Sequence, residues 1–76
     1  RPSTHAYLVQ VAALSSMYRA ELLQEELSAS YPEAAIRSDG VWHRVQIGPY
    51  DGRGQAEEVV RALERMGYAA LVVRTP

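Results

Sequence analysis

The sequence predicts an α+β fold of element order βαββαβ: a four-stranded antiparallel sheet with two helices on one face and an open opposite face. Three observations predict it. First, the chain resembles itself at an offset of 36 positions: Val9-Gln10-Val11-Ala12 falls on Val45-Gln46-Ile47-Gly48, Ala20-Glu21 on Ala56-Glu57, Leu23 on Val59, Leu27 on Leu63, Ala34 on Ala70 and Ile36 on Val72. Second, each half holds an alternating run, then a helix-period run, then a short apolar run. Third, Asp39-Gly40 between the halves is a strong tight-hairpin signal.

Residues 1–5 hold Pro2, Ser3 and Thr4 and read as the end of a linker, with one domain over residues 6–76. Tyr7 to Ala13 alternates, with Tyr7, Val9 and Val11 on one side and Leu8, Gln10 and Ala12 on the other, the pattern of a half-buried strand. Ser15 and Ser16 suit a helix N-cap. Met17 to Ala29 then places Ala20, Leu23 and Leu27 at helical spacing, and Tyr31-Pro32 stops it. Ala34 to Ser38 is a short strand. Val41 to Ile47 alternates again: Val41, His43, Val45 and Ile47 face one way, and Trp42, Arg44 and Gln46 the other, with Gly48-Pro49 ending the strand. Asp51 to Gly54 reads as a turn-rich loop. Gln55 to Met66 is a second helix with Ala56, Val59, Val60, Leu63 and Met66 inward, and Gly67 caps it. Ala69 to Arg74 is the last strand. Two βαβ halves joined by a hairpin fit a ferredoxin-like, RNP-like arrangement. Right-handed crossovers put both helices on one face and the first and third strands at the centre.

Seventy-six residues make one small domain, and 47% apolar residues are ordinary for a globular chain. The formal charge of −1 argues against a nucleic-acid partner, which a basic stripe would signal. All eight basic residues are Arg, so no Lys is present for a Schiff base; the absence of Cys removes thiolate chemistry. No apolar run approaches the roughly 20 residues of a membrane-spanning helix. The chain starts at Arg1 without a signal-like segment and is read as a domain from a longer protein. No cofactor is expected.

The helices need apolar partners, so Val9, Val11, Val45 and Ile47 belong beneath them. Parity then sends Leu8, Gln10, Ala12, Trp42, Arg44 and Gln46 to the open face; burial of Ile36 and Val72 turns Arg37, Leu71 and Val73 outward. One indole, one guanidinium and two carboxamides among a few aliphatics suit a sugar. The indole offers a flat apolar plate, and the polar groups bond hydroxyl, ether and acetamido oxygens. The bland alternatives are a covered Trp42, a merely solvated Gln10, and an Arg44 engaged by a cross-strand carboxylate.

The residues also carry a family resemblance. Val9-Gln10-Val11-Ala12-Ala13-Leu14 resembles the first-strand signature of the SPOR (sporulation-related repeat) domain, V-Q-hydrophobic-G/A-small-F. Trp42-His43-Arg44-Val45-Gln46-Ile47-Gly48-Pro49-Tyr50 resembles its second signature, and Ala56 to Leu63 its second helix. The resemblance covers about residues 6 to 74. It implies a non-catalytic module of bacterial envelope proteins that binds peptidoglycan glycan strands, the N-acetylglucosamine/N-acetylmuramic acid polymer. The strands implied are those denuded of stem peptides at the division septum. It further implies a periplasmic, monomeric domain whose parent is membrane- or lipid-anchored. Parents of such domains include lytic transglycosylases of the rare lipoprotein A type, which an Arg-only, Ala-rich domain would suit. By position, the family's ligand residues fall on Gln10, Ala13, Trp42, Arg44 and Val73. Ser15 and Ser16 lie in the loop beside the face, within reach of acetamido or lactyl groups. Ala12 and Leu14 depart from the usual Gly and Phe. Ala13 lacks the hydroxyl that some members have, a task that passes to Ser15 or Ser16.

An enzyme is not expected. His5 lies in the linker and His43 has core parity, where a hydrogen-bonded structural histidine is the simpler reading. Glu25-Glu26 and Glu57-Glu58 read as solvated helix faces. The competing classes are a protein-interaction or regulatory domain of ferredoxin-like fold and an RNA-recognition-like module. The latter needs two or three stacking aromatics and a basic surround, and the first strand offers Leu8, Gln10 and Ala12 instead.

Overall fold

A computed structural model describes residues 6–75. The linker reading for residues 1–5 lies outside them. The elements are β1 (Ala6–Leu14), α1 (Met17–Ser28), β2 (Ala35–Asp39), β3 (Trp42–Tyr50), α2 (Arg53–Arg65) and β4 (Leu71–Thr75). The order is the expected βαββαβ. The second half reproduces the first at the same 36-residue displacement: β1 maps onto β3 and β2 onto β4, end to end.

The sheet order is β2-β3-β1-β4, with all three pairings antiparallel, so β1 and β3 are the central pair as expected. Both helices pack on one face. Val9, Val45 and Ile47 from the central strands meet Ala20 and Leu27 of α1 and Ala56 and Leu63 of α2, all fully or almost fully buried. The internal repeat is visible here too: Val9 and Val45, Ala20 and Ala56, and Leu27 and Leu63 are repeat partners, and each occupies the same kind of buried place. Small Ala20 and Ala56 bring the helices close to the sheet, and the larger residues fill the space beyond.

Local chemistry sets the element ends. Ser16 is the N-cap of α1, in extended backbone, and its hydroxyl oxygen accepts from the Arg19 N–H at 3.2 Å. That satisfies a donor the first turn leaves unpaired, and such a cap stabilises by about 1 kcal/mol. The Gln24 side-chain N–H donates to the Ala34 carbonyl at 3.0 Å and ties α1 to the start of β2. Gly40 takes φ 63° in the β2–β3 hairpin, as the Asp-Gly signal requires.

Four details differ from expectation. β3 does not end at Gly48-Pro49 but runs through Tyr50, because Gly48 adopts φ 130° and absorbs an irregularity rather than breaking the ladder. A methyl at Gly48 would lie 3.1 Å from the Tyr7 carbonyl oxygen and 3.2 Å from Leu8 Cδ2. α2 begins at Arg53, so Gly54 lies within the first turn of the helix rather than in a loop. An Arg53–Glu57 ion pair of 3.1 Å, four residues apart, supports that turn. Val41 belongs to the hairpin turn and Met66 to the cap of α2, and both are exposed where inward positions are expected. Finally, the parity of β1 changes partway along, with consequences for the site.

Candidate functional site

The ladder shows where the change happens. Gln10 pairs with Gln46, but the next pair is Ala12 with Val45, followed by Ala13 with Arg44 and Leu14 with His43. Val11 is therefore an extra residue on β1, a β-bulge in which Val11 and Ala12 together oppose Val45. Val45 is buried under the helices, so the register moves Ala12 off the open face where simple alternation places it. Ala13 takes its place there beside Arg44, and Leu14 packs against the core.

The open face is now complete. β1 contributes Leu8, Gln10 and Ala13. β3 contributes Trp42, Arg44 and Gln46, which pair with Asp39, Arg37 and Ala35 of β2. β4 contributes Leu71 and Val73, opposite Gln10 and Leu8. Among the described residues no helix lies over this face. Trp42 is 45% exposed and Leu71 54% exposed. The covered-indole alternative is thus excluded among the described residues.

An open groove of about 510 Å³ crosses the face, lined by Leu8, Arg37, Ser38, Asp39, Arg44, Gln46, Val73 and Arg74. Gln46 forms its floor and is only 9% exposed. No buried side-chain nitrogen or oxygen among the described residues lacks a partner, so this carboxamide is not a stranded polar group. Arg44 donates from Nη1 to Asp39 Oδ2 at 3.2 Å. The cross-strand carboxylate is thus real, and it fixes one end of a fork whose other N–H groups are not used by that bond. Arg37 and Asp39 as groove walls were not singled out from the sequence. The parity that turns Arg37 outward was the available signal, and the hairpin reading of Asp39 concealed its second position on the face.

Of the expected ligand residues, Gln10, Ala13, Trp42, Arg44 and Val73 share the open face. Arg44 and Val73 line the groove itself. Ser15 is exposed just past the end of β1. Ser16 is half-buried and its hydroxyl oxygen accepts one bond in the helix cap, which leaves its O–H available as a donor. His43 lies on the helix side and its Nδ1 is 2.8 Å from Ser38 Oγ, a hydrogen-bonded structural histidine. Among the described residues no group of three or more His, Asp or Glu side chains is placed to hold a metal.

Away from the groove, one tyrosine ties the end of β3 to the α1–β2 loop and another ties the α2–β4 loop to α1. The Tyr50 hydroxyl donates to Glu33 Oε2 at 3.2 Å. Burial, the Glu33 charge and that hydrogen bond push its pKa up to about 12. The Tyr68 hydroxyl donates to Glu26, which raises its pKa too.

The model of the SPOR domain matches residues 3–74. The chain belongs to the SPOR domain family. This SPOR domain is 38% identical over 58 residues to the endolytic peptidoglycan transglycosylase RlpA of Yersinia pestis, a match covering 75% of the chain and 16% of that protein. It is 33% identical over 60 residues to the same-named protein of Salmonella typhi, covering 76% of the chain and 16% of that protein. The chain thus spans about one sixth of the length of these curated relatives. The SPOR domain also superposes on the solution structure of the peptidoglycan binding domain of the B. subtilis cell wall lytic enzyme CwlC. The TM-score is 0.88 at 21% identity, covering 100% of this chain and 96% of that one, and it attests to the shared fold.

Proposed function

We propose that this SPOR domain binds peptidoglycan glycan strands through its open sheet face, preferring strands without stem peptides, and so directs its parent protein to the division septum. The observation that carries the reading is the exposed Trp42 indole standing on the same uncovered face as Gln10, Arg44 and Gln46. An indole plate flanked by directional donors and acceptors is the chemistry a pyranose chain requires. Both RlpA relatives are named as peptidoglycan transglycosylases, and the CwlC neighbour is named as a peptidoglycan binding domain. Their names support the ligand class.

In this reading the domain is a monomeric, non-catalytic module in the bacterial envelope. Catalysis belongs to another part of a parent of RlpA type, anchored by membrane or lipid. No helix among the described residues is long and apolar enough to cross a membrane. The ligand residues are Gln10, Trp42, Arg44 and Val73 on the face, with Ala13 as the small residue that lets a sugar approach Arg44. Ser15 and the free O–H of Ser16 stand at the rim. The test is retention of the domain on whole sacculi, amidase-stripped sacculi and chitin oligomers. Retention chiefly on stripped sacculi is expected; equal retention on whole and stripped material sinks the preference, and none on any sinks the reading.

A further inference from the structure

We infer that Arg37 and Arg44 together read a carboxylate, namely the free lactyl carboxylate that a muramic acid residue carries only when its stem peptide has been removed. This rests on the glycan reading and adds to it which charge is recognised and by which side chains.

The starting observation is an arrangement that sheet energetics disfavours. Arg37 and Arg44 stand directly opposite each other in the β2–β3 ladder, both on the open face and both lining the groove. Like charges at opposed positions destabilise a strand pair. The adjacent carboxylate, Asp39, is already bonded to Arg44. Among the described residues no hydrogen bond or ion pair engages the Arg37 side chain. The Arg37–Arg44–Asp39 cluster therefore carries one excess positive charge within a chain whose formal charge is −1. A planar anion placed between the two guanidinium groups would relieve their repulsion and accept paired N–H bonds from the Arg37 fork.

The glycan supplies such an anion conditionally. The stem peptide joins the lactyl group through an amide, which carries no charge. Hydrolysis of that amide leaves an amine on the peptide and a carboxylate on the sugar. A site with a spare guanidinium thus distinguishes the stripped strand by its charge, beyond any steric exclusion of the peptide.

The experiment titrates the domain with peptide-free glycan oligomers in two forms: the free acid, and the same oligomer with its lactyl carboxyls converted to methylamides. The wild type should bind the free acid about fivefold more tightly, the size of an exposed charge pair. Arg37→Gln should bind both forms with the affinity the wild type shows for the methylamide. Arg37→Lys should keep only part of the preference, having the charge without the fork. The melting temperature of Arg37→Gln should not fall, since a repulsive neighbour has been removed. A peptide-bearing oligomer should bind no better than the methylamide.

Equal binding of the two peptide-free forms by the wild type, or an intact preference in Arg37→Gln, overturns the inference and leaves the glycan reading standing. Tighter binding of the peptide-bearing oligomer than of the free acid moves the pair's target to peptide carboxylates, and likewise overturns it. A destabilised Arg37→Gln that loses both forms equally shows a structural role and overturns it as well. If the wild type binds no form at all, the glycan reading itself has failed and the inference falls with it.

Discussion

Trp42 is the largest side chain on the uncovered face, and its position at the start of β3 leaves it free of any packing duty toward the helices. Trp42→Ala is therefore expected to abolish retention on stripped glycan while the melting temperature moves by no more than a few degrees; a lost cooperative transition would show that the indole is structural. Tyr50 has the opposite character, half-buried against the core with its phenol held neutral beside Glu33. Its pKa rises from 10.0 in the unfolded chain to about 12 in the folded one. The resulting stabilisation is complete below pH 10 and is lost as pH rises through about 12. Thermal unfolding followed across that window should show a steeper loss in the wild type than in Tyr50→Phe, and equal slopes would remove Tyr50 from the account. At this scale the sequence was most readable where alternation is clean. His43, Val45 and Trp42 took the sides their parity assigned. Met66 did not, because the helix ends before it, and a stripe of apolar residues does not announce its own last member.

At the scale of elements, the 36-residue repeat made the order and the approximate bounds of all six legible. What it could not show were the two places where the β1–β3 ladder loses step. One is at Val11, and the other lies between Tyr7–Tyr50 and Val9–Ile47, where β3 carries the extra residue next to Gly48. Neither leaves a mark in a hydrophobic pattern, since Val11-Ala12 and Gly48-Pro49 read equally well as alternation and as a strand's end. Gly48 is the residue that makes the second possible. An added Cβ there would be forced into a φ of 130° and against the Tyr7 carbonyl. Gly48→Ala should cost on the order of 1–3 kcal/mol, a fall of roughly 10 °C in Tm. A variant that melts with the wild type would mean the bend is easily rebuilt. The early start of α2 was hidden for a related reason: Gly52 and Gly54 signal a loop, but in a first turn glycine costs little, and the Ala56, Val59, Val60, Leu63 stripe holds the helix to the sheet.

For the whole molecule, the buried apolar residues among those described form one cluster, built from one sheet face, two helices and Ala34 just before β2. Among the described residues there is one buried cluster and no second core to fall back on. Leu63→Asp places an unpaired carboxylate in that single layer, and the expected outcome is loss of the cooperative transition and of dispersed amide resonances. A folded, soluble Leu63→Asp would contradict the two-layer arrangement. The division of labour between faces was readable from sequence because the core face is apolar and the other is not. The shape of the groove was not, because it depends on how β2 and β3 bring Arg37, Asp39 and Arg44 together across a ladder whose register no linear pattern contains.

The extra residue in β1 also bears on how such a surface diverges. A strand ordinarily shows a ligand every second side chain; this one shows Gln10 and then Ala13, a stride of three. Its two ends are read in different frames. If a descendant lost the bulge while keeping every residue, the ordinary stride would return, Ala12 would stand on the face in place of Ala13 and Leu14 would turn outward. Ligand preference could then change with every original contact residue still present in the chain.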